Sequence, residues 1–132
     1  MKPFGFPKHE RLTSKKSIDF IFESGRTVFA YPIKAFYSIE ELQPEDIPVQ
    51  AMFVVPKKKF KRAVDRNAIR RRVRETYRLT KHLLSDWCLQ NAKVVRIAFI
   101  YIASEQLTYT QIFDATQRII SQLRNQNQQQ NQ

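Results

Sequence analysis

One cysteine, Cys88, is all the thiol chemistry this sequence has. A disulfide framework within the chain is therefore impossible, which fits a reducing compartment. Its setting beside Trp87 in DWCLQ reads as a small core filler and not as a nucleophile. No run of about 18 apolar residues occurs, so no helix is expected to cross a bilayer and no membrane partner is expected. The opening MKPFGFPKHERL has neither an apolar h-region nor a cleavage site, so a secretion signal is not expected and the chain is placed in the cytoplasm. Histidine is down to His9 and His82, neither within a partner motif, and His82 beside Leu83 reads as a surface residue. A protein nuclease would need clustered carboxylates for metals or a histidine acid/base pair. With neither in view, no catalytic residue and no metal site is assigned. Internal repeats are missing too, as is any linker able to divide two domains.

What the chain does have is concentrated charge. The stretch Lys57–Lys81, KKKFKRAVDRNAIRRRVRETYRLTK, holds 12 of the 23 Lys and Arg but only two of the 12 acids, Asp65 and Glu75. Nearly all of the formal net charge of +11 sits there. Charge this local implies a polyanionic partner and not a general solubility setting. Hydrophobic residues at 42%, with ten Phe, five Tyr and one Trp, argue for a folded globule and against a disordered basic tail.

At about 100° per residue, Ile69, Val73, Thr76, Tyr77, Thr80, Leu83, Leu84 and Trp87 fall on one side of a helix. The periodicity predicts one long amphipathic helix over 63–88, its stripe packed on a sheet. Asn67, Arg70, Arg71, Arg74, Arg78 and Lys81 occupy the outward arc, Arg66 a shoulder and Arg72 the opposite flank. Arginine forks pair with phosphates and stack on bases. Together with the loop Lys57, Lys58, Lys59, Lys61 and Arg62, this face suits a folded RNA.

Around that helix the pattern is regular. Pro3, Gly5 and Pro7 interleave Phe4 and Phe6 in an extended arm over 1–12. A short helix is expected over 14–24, capped by Thr13 or Ser14, with Ile18, Ile21 and Phe22 on one face and Gly25 past its end. TVFAYPIKAFYSIE (27–40) reads as two strands or one strand bent at Pro32. A loop over 41–48, a strand over 49–56 and a central strand over 93–103 follow. A last helix starts near Thr108 or Thr110 and buries Ile112, Phe113, Ile119, Ile120 and Leu123. One domain spans 1–124, and the polar tail 125–132 is expected to be disordered. The order α-β-β-β-α-β-α makes this an α/β (α+β) two-layer sandwich with a mixed sheet and a βαβ crossover.

AVDRNAIRRRVRE (63–75) resembles the signature helix of the protein subunit of bacterial ribonuclease P, an Arg-Asn-Arg core followed by basic residues. Arg66 and Asn67 match its first two positions, and Arg70, Arg71 and Arg74 the basic positions after it. The third core position is Ala68 here, with Arg72 as a substitute to be tested. Arg11–Leu12, FIFESGR at 20–26, VVPKK and the apolar strand at 94–102 extend the likeness over residues 9–124.

The resemblance implies a fold like a ribosomal-protein domain, with a left-handed crossover through the basic helix, against the usual right-handed preference. It implies a holoenzyme, an endoribonuclease, that removes the 5′ leader of precursor tRNA. In it the RNA subunit and its Mg2+ ions carry catalysis, and the protein binds no cofactor of its own. The implied partners are the ribonuclease P RNA and precursor tRNA, with no obligate protein partner. It further implies an aromatic leader cleft between the first helix and the sheet, lined by Lys15, Ile18, Phe22 and Tyr37, with Lys16 steering phosphates. The alternative is a non-catalytic ribosomal or other structured-RNA-binding protein, which would show no preference for a leader. A DNA-binding regulator is disfavoured because no short turn sets a helix before the basic one.

Overall fold

The computed structural model describes residues 6–130, with side-chain surroundings through 125. Pro3, Phe4 and Gly5 of the expected arm lie outside the described residues, as do 131–132 and the tail side chains from 126. A turn of 3-10 helix at Lys8–Glu10 leads into α1 (Lys15–Ser24), β1 (Arg26–Ala30), β2 (Ile33–Glu41), β3 (Val49–Val54), α2 (Ala63–Asn91), β4 (Lys93–Tyr101) and α3 (Tyr109–Gln130). The helix α3 thus continues over 125–130, where the sequence reading expects a disordered tail.

The sheet runs β1-β2-β4-β3. β2 is antiparallel to both β1 and β4, while β3 and β4 are parallel. Parallel neighbours consecutive in the sheet cannot be joined by a tight turn, and α2 is the crossover between them. β4, VVRIAFIY after Lys93, is the central strand its near-continuous apolar run requires. The proline break resolves into two strands, with the hairpin turning at Tyr31 and Pro32.

Pleating decides which side chains meet which helix, because successive residues of a strand point to opposite faces. Ile33, Ala35 and Tyr37 of β2, Val95, Ile97, Phe99 and Tyr101 of β4, and Val49 and Ala51 of β3 face the main core. There α2 supplies Ile69, Val73, Tyr77, Leu84 and Trp87, and α3 supplies Ile112, Ile119, Ile120 and Leu123. Phe53, Tyr77 and Phe99 form an aromatic centre with ring separations of 5.5–5.6 Å, each pair worth about 0.5–1.5 kcal/mol beyond burial. Leu83 departs from the expected stripe: it is exposed, while Cys88 is fully buried. Between α2 and α3 the hydroxyls of Thr76 and Thr116, both buried, share a 2.9 Å hydrogen bond.

On the other face Leu12, Ile21 and Ala98 form a smaller cluster with Ile18 and Met52. α1 begins beside β3, where the Leu12 amide donates to the Ala51 carbonyl, and ends at Gly25, which enters β1. It therefore crosses the sheet over the row Met52, Ala98, Phe36 and leaves a strip of the face open on either side. Ser14 caps α1 through the Ser17 amide. Thr108 caps α3 in a reciprocal box: the Gln111 amide donates to its Oγ1, and its own amide donates to Gln111 Oε1.

The N-terminal arm protects the β3 edge. Arg11 bridges to Ala51, Gln50 Nε2 donates to the His9 carbonyl, and Phe6 packs 5.6 Å from Phe53. An edge strand is thereby covered instead of being left as a template for another chain. Burial also pushes the Cys88 thiol up to about 12. Native protein is expected to react with iodoacetamide at pH 8 on the order of a thousandfold more slowly than protein in denaturant. Equal rates would show that this end of α2 opens readily.

Candidate nucleic-acid interface

The α2 crossover holds its apolar stripe against the sheet, so the rest of the helix faces outward. Arg71 and Arg74 are exposed and Arg70 is half-buried. Arg70 donates to Asn67 Oδ1 at 3.0 Å, so the asparagine orients the arginine. Among the described residues no carboxylate lies within ion-pair distance of these three guanidinium groups. Lys57, Lys58, Lys59 and Lys61 are exposed on the loop before the helix. Arg62 is exposed as well, with Asp65 at 4.0 Å.

The remaining basic side chains have partners in the protein. Arg78 binds Glu75 through Nε to Oε2 at 3.0 Å and a second bond from Nη2. This hydrogen bond from Arg78 holds the Glu75 carboxyl below its usual range. Lys81 turns from the expected outward arc to the N-terminal arm, 2.7 Å from Glu10. Arg66 donates to the carbonyls of Phe60 and Lys61, each at 2.9 Å. Arg72 donates to the Leu107 carbonyl at 3.3 Å and to Gln106, and Gln106 in turn donates to Asp65. Arg72 thus ties the β4–α3 loop to α2, and that leaves it a poor substitute for the arginine absent at Ala68.

The second candidate surface lies on the opposite face of the sheet, beside α1. Lys15 is exposed at the start of the helix, Ile18 packs against the small cluster, and Phe22 is 40% exposed. Tyr37 is not among them. It is 0% exposed and belongs to the main core under α2 and α3. Burial pushes its phenol up, against the pull of Arg26. The aromatic that β2 presents to α1 is the preceding residue, Phe36, whose ring lies 5.0 Å from Phe22.

Phe36 was missed, although the sequence carries its signal. Lys34, Phe36, Ser38 and Glu40 share one parity along β2 and mark the half-open face, while Ile33, Ala35, Tyr37 and Ile39 share the other. Lys34 belongs to the site as well, with Nζ 5.1 Å from the Phe36 ring centre. Phe29 (55% exposed), Lys34, Ile100 and Val54 are successive cross-strand partners on this strip. The strip ends where β3 runs on into the Lys57–Arg62 loop, so the groove and the basic surface adjoin.

The groove on the other flank of α1 differs. It encloses ≈ 510 Å3 and is lined by Asp19, Glu23 and Glu40 together with Lys16, Arg96 and Phe20, and Arg96 is paired with Glu40 at 3.2 Å. Carboxylates make it a poor place for phosphates. Among the described residues no three His, Cys, Asp or Glu side chains converge as metal ligands, and no helix is long and apolar enough to cross a membrane.

The family model described as Ribonuclease P matches residues 6–124. The ribonuclease P protein component of Porphyromonas gingivalis is 35% identical over 116 residues, 87% of this chain and 83% of the relative. That of Chlorobaculum tepidum is 35% identical over 103 residues, 74% and 67% of the two chains. Among solved structures, the RNase P protein of Thermotoga maritima superposes with a TM-score of 0.66 at 19% identity, covering 86% of this chain and 96% of that one. The Staphylococcus aureus RNase P protein gives 0.64 at 19%, covering 86% and 94%. Those two likenesses show the fold. The family match and the sequence relatives show the kinship: this chain belongs to the protein-component family of ribonuclease P, the ribonuclease of tRNA 5′ processing.

Proposed function

We propose that the outward face of α2, with the Lys57–Arg62 loop, binds the RNA subunit of ribonuclease P, and that the groove lined by Ile18, Phe22 and Phe36 receives the single-stranded 5′ leader of precursor tRNA. The RNA subunit, with the Mg2+ it holds, carries the cleavage. The protein contributes affinity and substrate choice, and it works in the cytoplasm without an obligate protein partner. Arg70, Arg71, Arg74 and the exposed lysines neutralise phosphates of the RNA subunit. Lys15 and Lys34 do so along the leader, whose bases stack on Phe22 and Phe36. Stacking tolerates any base, which suits an enzyme with many precursors.

The observation that carries this reading is the adjacency of an open aromatic strip to a basic surface on which, among the described residues, Arg70, Arg71 and Arg74 have no carboxylate within ion-pair distance. A ribosomal RNA-binding protein would use the basic surface and have no need for the groove. Phe36→Ala is expected to reduce the preference for precursor over mature tRNA about tenfold, since base stacking contributes about 1–3 kcal/mol per base. Assembly with the RNA subunit should be unchanged. Phe20→Ala, on the carboxylate-lined flank, should leave the preference as it is. Equal weakening of precursor and mature tRNA by Phe36→Ala would remove the leader from this groove.

A further inference from the structure

Arg66 stands in the signature of the helix, yet its guanidinium is turned back into the protein. Nη1 donates to two successive carbonyls, Phe60 and Lys61, at 2.9 Å each. Phe60 is buried, its ring 5.9 Å from Tyr101. On either side of this anchored residue lie Lys57, Lys58, Lys59, Lys61 and Arg62, all exposed. The one carboxylate within ion-pair distance of this set is Asp65, at 4.0 Å from Arg62, among the described residues.

Five cations in six residues repel one another, and such a segment left to itself spreads open. Here a buried ring and a pair of carbonyl bonds fix its middle, while a turn from the Lys59 amide to the Pro56 carbonyl fixes its start. We infer that Arg66 is a positioning residue: it holds the lysine loop in one shape, so that Lys57, Lys58, Lys59 and Lys61 meet phosphates already arrayed. Ordering the loop before binding removes an entropic cost that would otherwise fall on association. Lysine is a poor replacement, because its ammonium ends one bond short of Nη1, the single nitrogen that donates to both carbonyls.

This inference rests on the RNA-binding reading, and the test separates the two. Arg66→Lys and Arg66→Met are compared with wild type by trypsin cleavage at Lys57–Arg62 in the free protein, with the thermal midpoint as control for global unfolding. A titration of ribonuclease P RNA across salt concentrations follows. Both variants are expected to be cut about tenfold faster in the loop at an almost unchanged midpoint. In both, the salt slope is expected to fall by roughly two or more, since several lysines lose their phosphates at about 0.7–0.9 of a counterion each. A directly contacting Arg66 would lose about one such contact, and Arg66→Lys would restore most of the affinity. Unchanged loop cleavage, or wild-type binding by Arg66→Lys, overturns the inference. If wild-type protein fails to bind the RNA, the functional reading fails, and the cleavage comparison still decides whether Arg66 orders the loop.

Discussion

Replacing Arg70, Arg71 and Arg74 together by alanine is expected to weaken binding to ribonuclease P RNA by about three orders of magnitude at moderate salt. Each charge-assisted hydrogen bond to phosphate is worth about 1.5 kcal/mol or more, roughly tenfold per arginine. The salt slope should fall by about two to three, at roughly 0.7–0.9 per contact. Folding should hardly change, because the three side chains lie outside the core and make no ion pair among the described residues. Surface changes of this kind usually stay within about 0.5 kcal/mol each, and relief of like-charge repulsion favours the variant. A binding titration at four or five salt concentrations, with a thermal melt of each protein, measures both effects. A slope equal to that of wild type would mean that this face does not touch phosphate. Arg78→Ala should do less, because Arg78 is already engaged by Glu75.

A large single-residue effect on stability is expected at Gly25. Its backbone angles, φ −78° and ψ 172°, suit any residue, so conformational freedom is not the reason for glycine. Space is. A Cβ there would lie 2.3 Å from the Ile21 carbonyl oxygen and 2.8 Å from that of Tyr37, both backbone atoms that cannot swing aside. Gly25→Ala must therefore lift the end of α1 off β2, and overpacking of this kind costs about 2–3 kcal/mol. For a chain of this length that is a fall of about 10 °C in Tm. Phe22, one turn earlier on α1, would move with the helix, so the preference for precursor tRNA should fall as well. A Tm within about 2 °C of wild type would show slack at the junction and detach the helix end from the groove's geometry.

Tyr37 and Phe36 show how much of the site could be read along the chain. The resemblance points to an aromatic on the second strand, and choosing Tyr37 places it one residue out of register. Slipping by one along a strand transfers a side chain to the opposite face. The polar residues Lys34, Ser38 and Glu40 fix the parity, and they assign Phe36 to the open face. The helical elements were more legible: the basic helix, expected over 63–88, spans Ala63–Asn91. Leu83 deviates because a stripe on a helical wheel is wider than the sheet it meets. Arg66, Arg72 and Lys81 could not be separated from Arg70, Arg71 and Arg74 by position on the wheel. Their partners are the Phe60, Lys61 and Leu107 carbonyls and the Glu10 carboxylate, and nothing in a helical repeat says where those lie.

From its sequence alone this protein is determined to build an amphipathic helix with an arginine face, to pack it on a sheet and to concentrate its positive charge on that face. Those properties follow from charge counts and from periods of 3.6 and 2, which are local. The tertiary structure decided which guanidinium groups remain available to a partner, which face of β2 stays open, and how closely α1 approaches the sheet at Gly25. Each of these depends on atoms far apart in the chain, brought together by the crossover of α2 and the passage of α1 over the opposite face of the sheet.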